Sequence, residues 1–381
     1  MTKRISIFGS TGSIGCYTLD LISQHYDKYE IITLAANQNI KLLAKQAIKF
    51  RVSNVVICDP SKFQELKCLL SGYDVKIFAG YNDMLSLAGL KYDIVVIGIS
   101  GIVALKPIME AIDHASILGI ANKESIVCGG DFIMSKIKNS LTTIIPLDSE
   151  HNAIFQVLEE RNRDKVEKVM ITASGGPFLQ KSIHELKDIS PKEAIRHPKW
   201  KMGNKISVDS SNMMNKGLEV IEACKLFDLD IDQVDAIIHP ESIVHGMVYY
   251  TDGSILAQMG YHDMRTPIST ILEYPKRSVF DYKSLDFIKI QSLNFQSISR
   301  ERFPLFYIAK ESYKLGSYAL ITLSIANEVA VSAFLNHRIS FLKIDQIVQD
   351  SIYQTKKVNI LAFEDVLEFA KEVEIKTKEK I

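Results

Sequence analysis

The stretch RISIFGSTGSIG, residues 4–15, decides how the chain is read. A short Ile/Phe run ends in three spaced glycines, Gly9, Gly12 and Gly15, and the amphipathic pattern YTLDLISQHY follows at 17–26. Strand, glycine turn and helix in that order make an anion site, because glycine lets the backbone approach a phosphate. The free N–H groups and the dipole of the helix start then favour negative charge. The spacing G-x-x-G-x-x-G differs from the G-x-G-x-x-G of many dinucleotide sites, and no Gly-Lys-Ser/Thr follows to suggest a nucleoside triphosphate loop. Two readings stand at this point: a dinucleotide pyrophosphate site, and a tight turn without ligand.

Working outward, EIITLAA (30–36), VSNVVIC (52–58), DIVVIGIS (93–100) and SILGIA (116–121) read as strands covered on both faces. Helical patterns such as PIMEAIDHA (107–115) lie between them. Alternating β and α predicts a doubly wound, mostly parallel sheet of the Rossmann kind. After the second strand, AANQNIK (35–41) has no acid to meet a ribose 2′-OH. Asn37, Gln38 and Asn39 offer donors to a 2′-phosphate, with Lys41 near, so NADP(H) is favoured over NAD(H).

TTIIPLDSE (142–150) reads as a further strand with an acidic end, followed by the helix HNAIFQVLEE (151–160) and the strand EKVMITAS (167–174). Asp148 and Glu150 are two apart, so extended backbone would aim both to one side. A hard divalent cation would relieve their repulsion, with Glu219 as a third ligand; an all-oxygen set suits Mg²⁺ or Mn²⁺. A solvated acidic loop is the other reading. SSNMMNKGLEVIEACKLF (210–227) reads as one helix on which Ser211, Asn215 and Glu219 share a face, bordered by Ser210 and Lys216. That is either a phosphate cradle, with SGG (174–176) adding a hydroxyl and amides, or an N-cap serine with polar surface.

Residues 175–205 show no sustained period beyond two helix starts, SIHE (182–185) and SPKEA (190–194). The basic segment IRHPKWKMGNK (195–205), with His197, Trp200 and Met202, reads as a flap closing over ligand or as a loop pinned by its tryptophan. IVHGMVYYTDGSILAQMG (243–260) reads as a hairpin turning at Thr251-Asp252-Gly253. Residues 275–300 carry few signals, and the pattern from 301 onward is helical. His239, His245 and His262 lack metal spacing and are taken as structural.

The 381 residues carry 45 Lys plus Arg against 45 Asp plus Glu, so no global field holds nucleic acid or an anionic membrane, and neither is expected as a partner. Five scattered cysteines without a C-x-x-C pair fit a reducing compartment. The first residues turn polar too soon for a signal peptide. The apolar run IVVIGISGIVAL (94–105) is short and broken by glycine, below the roughly 20 residues a membrane helix needs. A cytoplasmic location is expected.

GSTGSIG, ANKES (121–125), DSEHNAIFQ (148–156), SGGPF (174–178), HPKWKMGNKISVDSSNMMNKGLE (197–219), HPESIVH (239–245), DMRTPI (263–268) and ANEVAVSAF (326–334) occur in that order. Over essentially its full length the chain resembles the 1-deoxy-D-xylulose 5-phosphate reductoisomerase family. The resemblance implies an NADPH-dependent, Mg²⁺- or Mn²⁺-requiring homodimer that rearranges and reduces 1-deoxy-D-xylulose 5-phosphate to 2-C-methyl-D-erythritol 4-phosphate for isoprenoid biosynthesis. It implies an NADPH-binding domain at 1–147 and a catalytic domain at 148–274 with a lid at 175–205. A linker at 275–300 and a helical domain at 301–381 complete the division. It puts metal ligation on Asp148, Glu150 and Glu219. Substrate contacts fall on Lys123, Ser149, Glu150, Ser174, His197, Ser210, Asn215, Lys216 and Glu219. Cofactor contacts fall on Thr11, Gly12, Ser13, Ile14, Asn37, Gln38, Asn39, Asn122, Glu124 and Gly203. Lys123 and Glu150 are the candidates for proton transfer. The chain departs from the family pattern at Asn37 and Gln38, where many members carry Gly and a basic residue, and at His262, where Pro usually stands.

Two rivals from other classes are a silent NADP-binding sensor with spare carboxylates and a dehydrogenase working through a cysteine thioester. The first leaves every metal and phosphate position filled without reason. The second lacks a cysteine in any motif that pairs it with a histidine base.

Overall fold

The computed structural model describes residues 2–196, 202–280 and 282–381. The chain divides into two compact units, unit 1 being Met1–Asn122, Ile133–Asn152 and Asp263–Tyr282, and unit 2 being Lys123–Phe132, Ala153–His262 and Lys283–Ile381.

Unit 1 is built on seven parallel strands: β1 (Lys3–Phe8), β2 (Tyr29–Ala36), β3 (Asn54–Ile57), β4 (Lys76–Ala79), β5 (Tyr92–Ile97), β6 (Ala115–Ile120) and β7 (Thr143–Pro146). Their order is β4-β3-β2-β1-β5-β6-β7, so the winding reverses between β1 and β5. All pairs are parallel. Ile94, Val95, Val96 and Ile97 are fully buried, which is why the run shows no alternation. The connecting helices are α1 (Ser13–Ile22), α2 (Ile40–Phe50), α3 (Phe63–Leu69), α4 (Tyr81–Ala88) and α5 (Leu105–Ala111). α6 (Lys123–Lys138) precedes β7 and α7 (Ser149–Val157) follows it. β4 escaped the sequence reading because its edge residues are half-exposed or exposed and too few to show a period.

The helix Arg265–Glu273 also belongs to unit 1. A side chain at Gly119 on β6 would run into Ile271 of that helix, and Lys3 Nζ donates to Leu272 O at 2.6 Å. The boundary expected at 274 is therefore corrected: residues 263–280 pack with the N-terminal sheet. His25 and Phe280, 4.9 Å apart and edge-on, continue that packing.

Unit 2 holds a four-stranded sheet in the order β11-β10-β8-β9, from β8 (Val166–Ala173), β9 (Val234–Ile238), β10 (Val244–Tyr250) and β11 (Ile255–Met259). β10 and β11 form the expected hairpin, with Gly253 at φ 84° in its turn. Its helices are α8 (Pro191–Ala194), α9 (Asn204–Ser211), α10 (Met214–Phe227), α12 (Phe287–Ile290), α13 (Pro304–Leu315), α14 (Ser317–Leu335), α15 (Phe341–Gln354) and α16 (Phe363–Lys378), α11 being the Arg265–Glu273 helix of unit 1. Leu218 and Ile221 of α10 share one core with Leu305, Leu320, Phe334, Phe341 and Ile347, so the C-terminal helices have no separate interior. α14 is long and apolar enough to cross a bilayer by length and composition, yet 78% of its apolar window is buried inside the protein, as in a core helix.

Three further expectations are corrected. The segment 275–300 is not a bare linker: Phe280 and Ile298 are buried, and Gln296 bridges to Ile238. The expected lid 175–205 is too wide, because Phe178, Leu186, Ile189 and Ala194 are buried in the helical core. The two expected helix starts within it are present: Ser182 and Glu185 bond reciprocally, and Ser190 and Glu193 form a capping box. Finally, 210–227 is two helices, because Met213 takes a left-handed φ of 63° between α9 and α10.

Candidate functional site

In unit 1 the candidate groups gather at the carboxyl ends of the strands, where the winding reverses and such sheets bind ligands. Gly9 leaves β1 at φ 90°, and a Cβ there would lie 2.6 Å from Gly98 O at the end of β5. Glycine is thus required for the turn to pass against the neighbouring strand. Gly12 caps α1 with no side-chain hydrogen bond, which leaves the first-turn N–H groups of Ser13 and Ile14 to a ligand. Gly12 and Ser13 are exposed, and Thr11 and Ile14 half-buried. The turn suits a pyrophosphate.

Asn37, Gln38 and Asn39 are exposed at the end of β2. Asn39 caps α2, its side chain accepting from Leu42 N at 3.2 Å. Gln38 Nε2 donates to Asp59 Oδ2 at 3.4 Å, so an acid that sequence reading missed does stand here, brought in from the end of β3. Hydrogen bonds from Ser61, then weaker charge effects, hold the Asp59 carboxyl below its usual range. Asn122, after β6, donates to Ile99 O and Gly101 O at 2.7 and 2.9 Å and so fixes the loop beyond β5.

Asp148, Ser149 and Glu150 follow β7 and are half-buried. The extended-backbone argument for the acidic pair fails: Glu150 lies in the first turn of α7, and Asn152 N donates to Asp148 O at 2.9 Å. Both acids instead sit at a helix N-terminus, where the dipole favours their ionised forms. Ser149 Oγ donates to Glu150 Oε2 at 2.5 Å.

In unit 2, Lys123 Nζ donates to Asn215 Oδ1 at 2.7 Å and to Glu219 Oε1 at 2.9 Å. Lys216 pairs with the other oxygen of Glu219, and Asn215 Nδ2 donates to Glu219 Oε1. Lys123, Lys216 and Glu219 are 8%, 4% and 1% exposed. Both ammonium groups meet a carboxylate away from water, as buried charges must. Asn215, Lys216 and Glu219 lie on α10 as expected, whereas Ser210 and Ser211 end α9. Ser211 Oγ is spent on Ala194 O and Ser207 O. Ser174 follows β8, its Oγ accepting from Gly176 N at 3.2 Å. Gly176, at φ 69°, packs its backbone against Ser210 and Ser211, and a Cβ there would lie 2.8 Å from Ser210 O. The SGG turn and the end of α9 therefore form one cradle.

His245, taken as structural from the sequence, is buried, with Nε2 3.3 Å from Gly260 O. Burial pushes its imidazole down to about 4, with Lys216 and His262 adding to the effect, so a neutral ring stands beside the lysine–glutamate cluster. Glu124 is buried and accepts from Lys205 Nζ at 2.6 Å. Burial alone would raise its carboxyl, but Lys205 outweighs that and holds it low. Gly203 caps α9. His197 and Trp200 lie outside the described residues.

Three family models match: 1-deoxy-D-xylulose 5-phosphate reductoisomerase over residues 5–130, and two C-terminal domains of that enzyme over 144–227 and 259–375. The chain is similar to the 1-deoxy-D-xylulose 5-phosphate reductoisomerase of Zymomonas mobilis, at 42% identity over 98% of this chain and 96% of the relative. It is 45% identical to that of the Wolbachia of Drosophila simulans, over 92% and 90%. Among solved structures, the Zymomonas mobilis enzyme in complex with NADPH superposes with a TM-score of 0.94 at 41% identity, covering 100% of this chain and 99% of that one. A DOX-P reductoisomerase in complex with NADPH, fosmidomycin and magnesium gives 0.93 at 37% identity, covering 99% and 98%.

Proposed function

The chain belongs to the 1-deoxy-D-xylulose 5-phosphate reductoisomerase family, and from that premise we propose which of its residues carry the reaction. The protein converts 1-deoxy-D-xylulose 5-phosphate to 2-C-methyl-D-erythritol 4-phosphate with NADPH and a divalent cation, a step toward isoprenoid precursors.

Thr11, Gly12, Ser13 and Ile14 receive the pyrophosphate of NADPH; Asn37, Gln38 and Asn39 face its 2′-phosphate side, with Asn122, Glu124 and Gly203 completing its surroundings. What supports this is a helix start without a side-chain cap at a turn that admits only glycine. Asp148, Glu150 and Glu219 hold the cation: they are oxygen donors, as Mg²⁺ and Mn²⁺ prefer. When bound, NADPH supplies hydride and the cation Lewis acidity at the substrate oxygens.

Ser174, Ser210, Asn215 and Lys216 take the substrate phosphate, with His197 joining them, and Ser149 contacts the sugar. The two buried ammonium groups beside Asn215 support this reading, since a phosphate accepts charged hydrogen bonds from such donors. Binding at the phosphate, remote from the bonds that change, holds the carbon skeleton in its reacting geometry. Lys123 Nζ holds protons within reach of Asn215 and Glu219 and is the group suited to give one to a substrate oxygen. Glu150 is its counterpart for accepting one. The enzyme works as a homodimer in the cytoplasm; the free, scattered thiols support a reducing compartment. Fosmidomycin, present in the complex of the similar DOX-P reductoisomerase, is expected to bind it.

NADPH oxidation with 1-deoxy-D-xylulose 5-phosphate, with and without a chelator, tests the reading. Turnover that stops on chelation and returns with Mn²⁺ is expected; turnover indifferent to the chelator refutes the metal assignment. Sedimentation gives the oligomeric state.

A further inference from the structure

A second charge cluster lies in unit 2, around Lys205, to which no role has been given above. Lys205, in the first turn of α9, places Nζ 2.6 Å from Glu124 Oε1 and 2.8 Å from Asp209 Oδ2. Asp209 is 1% exposed, and its Oδ1 accepts from Asn327 Nδ2 of α14 at 2.8 Å. Glu328 of α14 also faces this lysine. Burial alone would lower the Lys205 ammonium's pKa, but Asp209 and Glu124 outweigh it and raise it. One cation thus serves two buried carboxylates from different helices, an arrangement that is costly to leave uncompensated.

The sequence neighbours of these anchors give the cluster its interest. Glu124 directly follows Lys123 in the first turn of α6, and Asp209 directly precedes Ser210 at the end of α9. Each carboxylate held by Lys205 is therefore one residue from a group assigned to the substrate. We propose that Lys205 is a positioning residue for the reaction, its ammonium holding the start of α6 to α9 so that Lys123 and Ser210 meet one substrate together. This rests on the substrate roles given above to Lys123 and Ser210. Misplacement by about 1 Å in such an arrangement is enough to cost on the order of 100-fold in rate.

The test uses the full-length enzyme with NADPH and Mn²⁺, and kcat is counted per NADPH-binding site so that unfolded protein does not enter. Lys205→Met is expected to lose at least about tenfold in kcat and to raise the substrate KM severalfold. Lys205→Arg, which keeps the charge, is expected to recover part of the loss. Wild-type kcat and KM in a folded Lys205→Met enzyme overturn the proposal, as does an Arg variant no better than Met. If Lys205→Met does not fold, the isosteric Asp209→Asn decides by the same readout: a severalfold loss in kcat at full NADPH binding supports the role, and unchanged kinetics overturn it. Lys123→Ala runs in parallel. Were it as active as wild type, the site assignment itself would fail; a crippled Lys123→Ala beside an unaffected Lys205→Met removes only the positioning role.

Discussion

At the β1–α1 turn the groups proposed to face a ligand are backbone amides, and around Glu219 they are the charged ends of long side chains. The first is made by a few consecutive residues and constrained by close backbone approach. The second is assembled from α6 and α10, far apart in sequence, and is constrained by charge. A backbone site tolerates most side-chain changes at exposed positions such as Ser13 but none that adds bulk at Gly9. A charge cluster responds to every change in its ionic balance. The two regions should therefore break in different ways.

The largest effect is expected in the charge cluster. Glu219→Gln leaves Lys123 and Lys216 facing a neutral amide and removes a proposed cation ligand. Turnover should drop by roughly 10³-fold, as when a key electrostatic group is lost, and the Mn²⁺ requirement should rise. Near-normal rates at low metal would refute the assignment. Lys216→Ala should raise the substrate KM by about 10- to 100-fold through loss of a charged hydrogen bond, with NADPH affinity untouched. Steady-state kinetics with each substrate varied separate the two.

The pH dependence of stability sharpens the contrast. His245 has a folded pKa of about 4 against 6.5 when exposed. Between those values the unfolded chain binds the extra proton, so stability is full above about 6.5 and is lost as pH falls toward 4. The slope from this one group is at most about 1.4 kcal/mol per pH unit. Thermal midpoints of wild type and His245→Asn between pH 7 and 5 measure it; equal slopes would sink the claim. The smallest effect is expected at the backbone site. Gln38→Lys adds a cation beside Asp59 at an exposed position, worth about 0.5–1 kcal/mol. It should tighten NADPH severalfold and leave NADH unchanged, as read by titration of both nucleotides.

The same contrast explains how much the sequence revealed. The doubly wound sheet was legible because β1, β2, β5 and β6 carry mostly apolar runs separated by helical patterns, and the glycine turn because its backbone constraint is local. β9, five residues with only alternate ones buried, gave no comparable signal. The break between α9 and α10 was illegible because the residue in left-handed conformation is Met213, neither glycine nor asparagine. The Lys123–Glu219 and Lys205–Glu124 pairs join residues 96 and 81 positions apart, and no period in a linear chain reports such contacts. At Asp148 and Glu150 the extended backbone expected from the sequence gave way to the first turn of α7, because a strand end followed by a helix start carries no period of its own.

The Arg265–Glu273 helix has a consequence for how the protein is made. A ribosome delivers the seven-stranded sheet long before the segment that covers β6 at Gly119 and receives the Lys3 ammonium. Until that late segment emerges, one flank of the nascent sheet stays uncovered, and a fragment ending near residue 150 would keep that apolar wound permanently. Supplying residues 263–282 as a separate peptide should then heal such a fragment, and unit 1 is complete only once the chain has been synthesised as far as Tyr282.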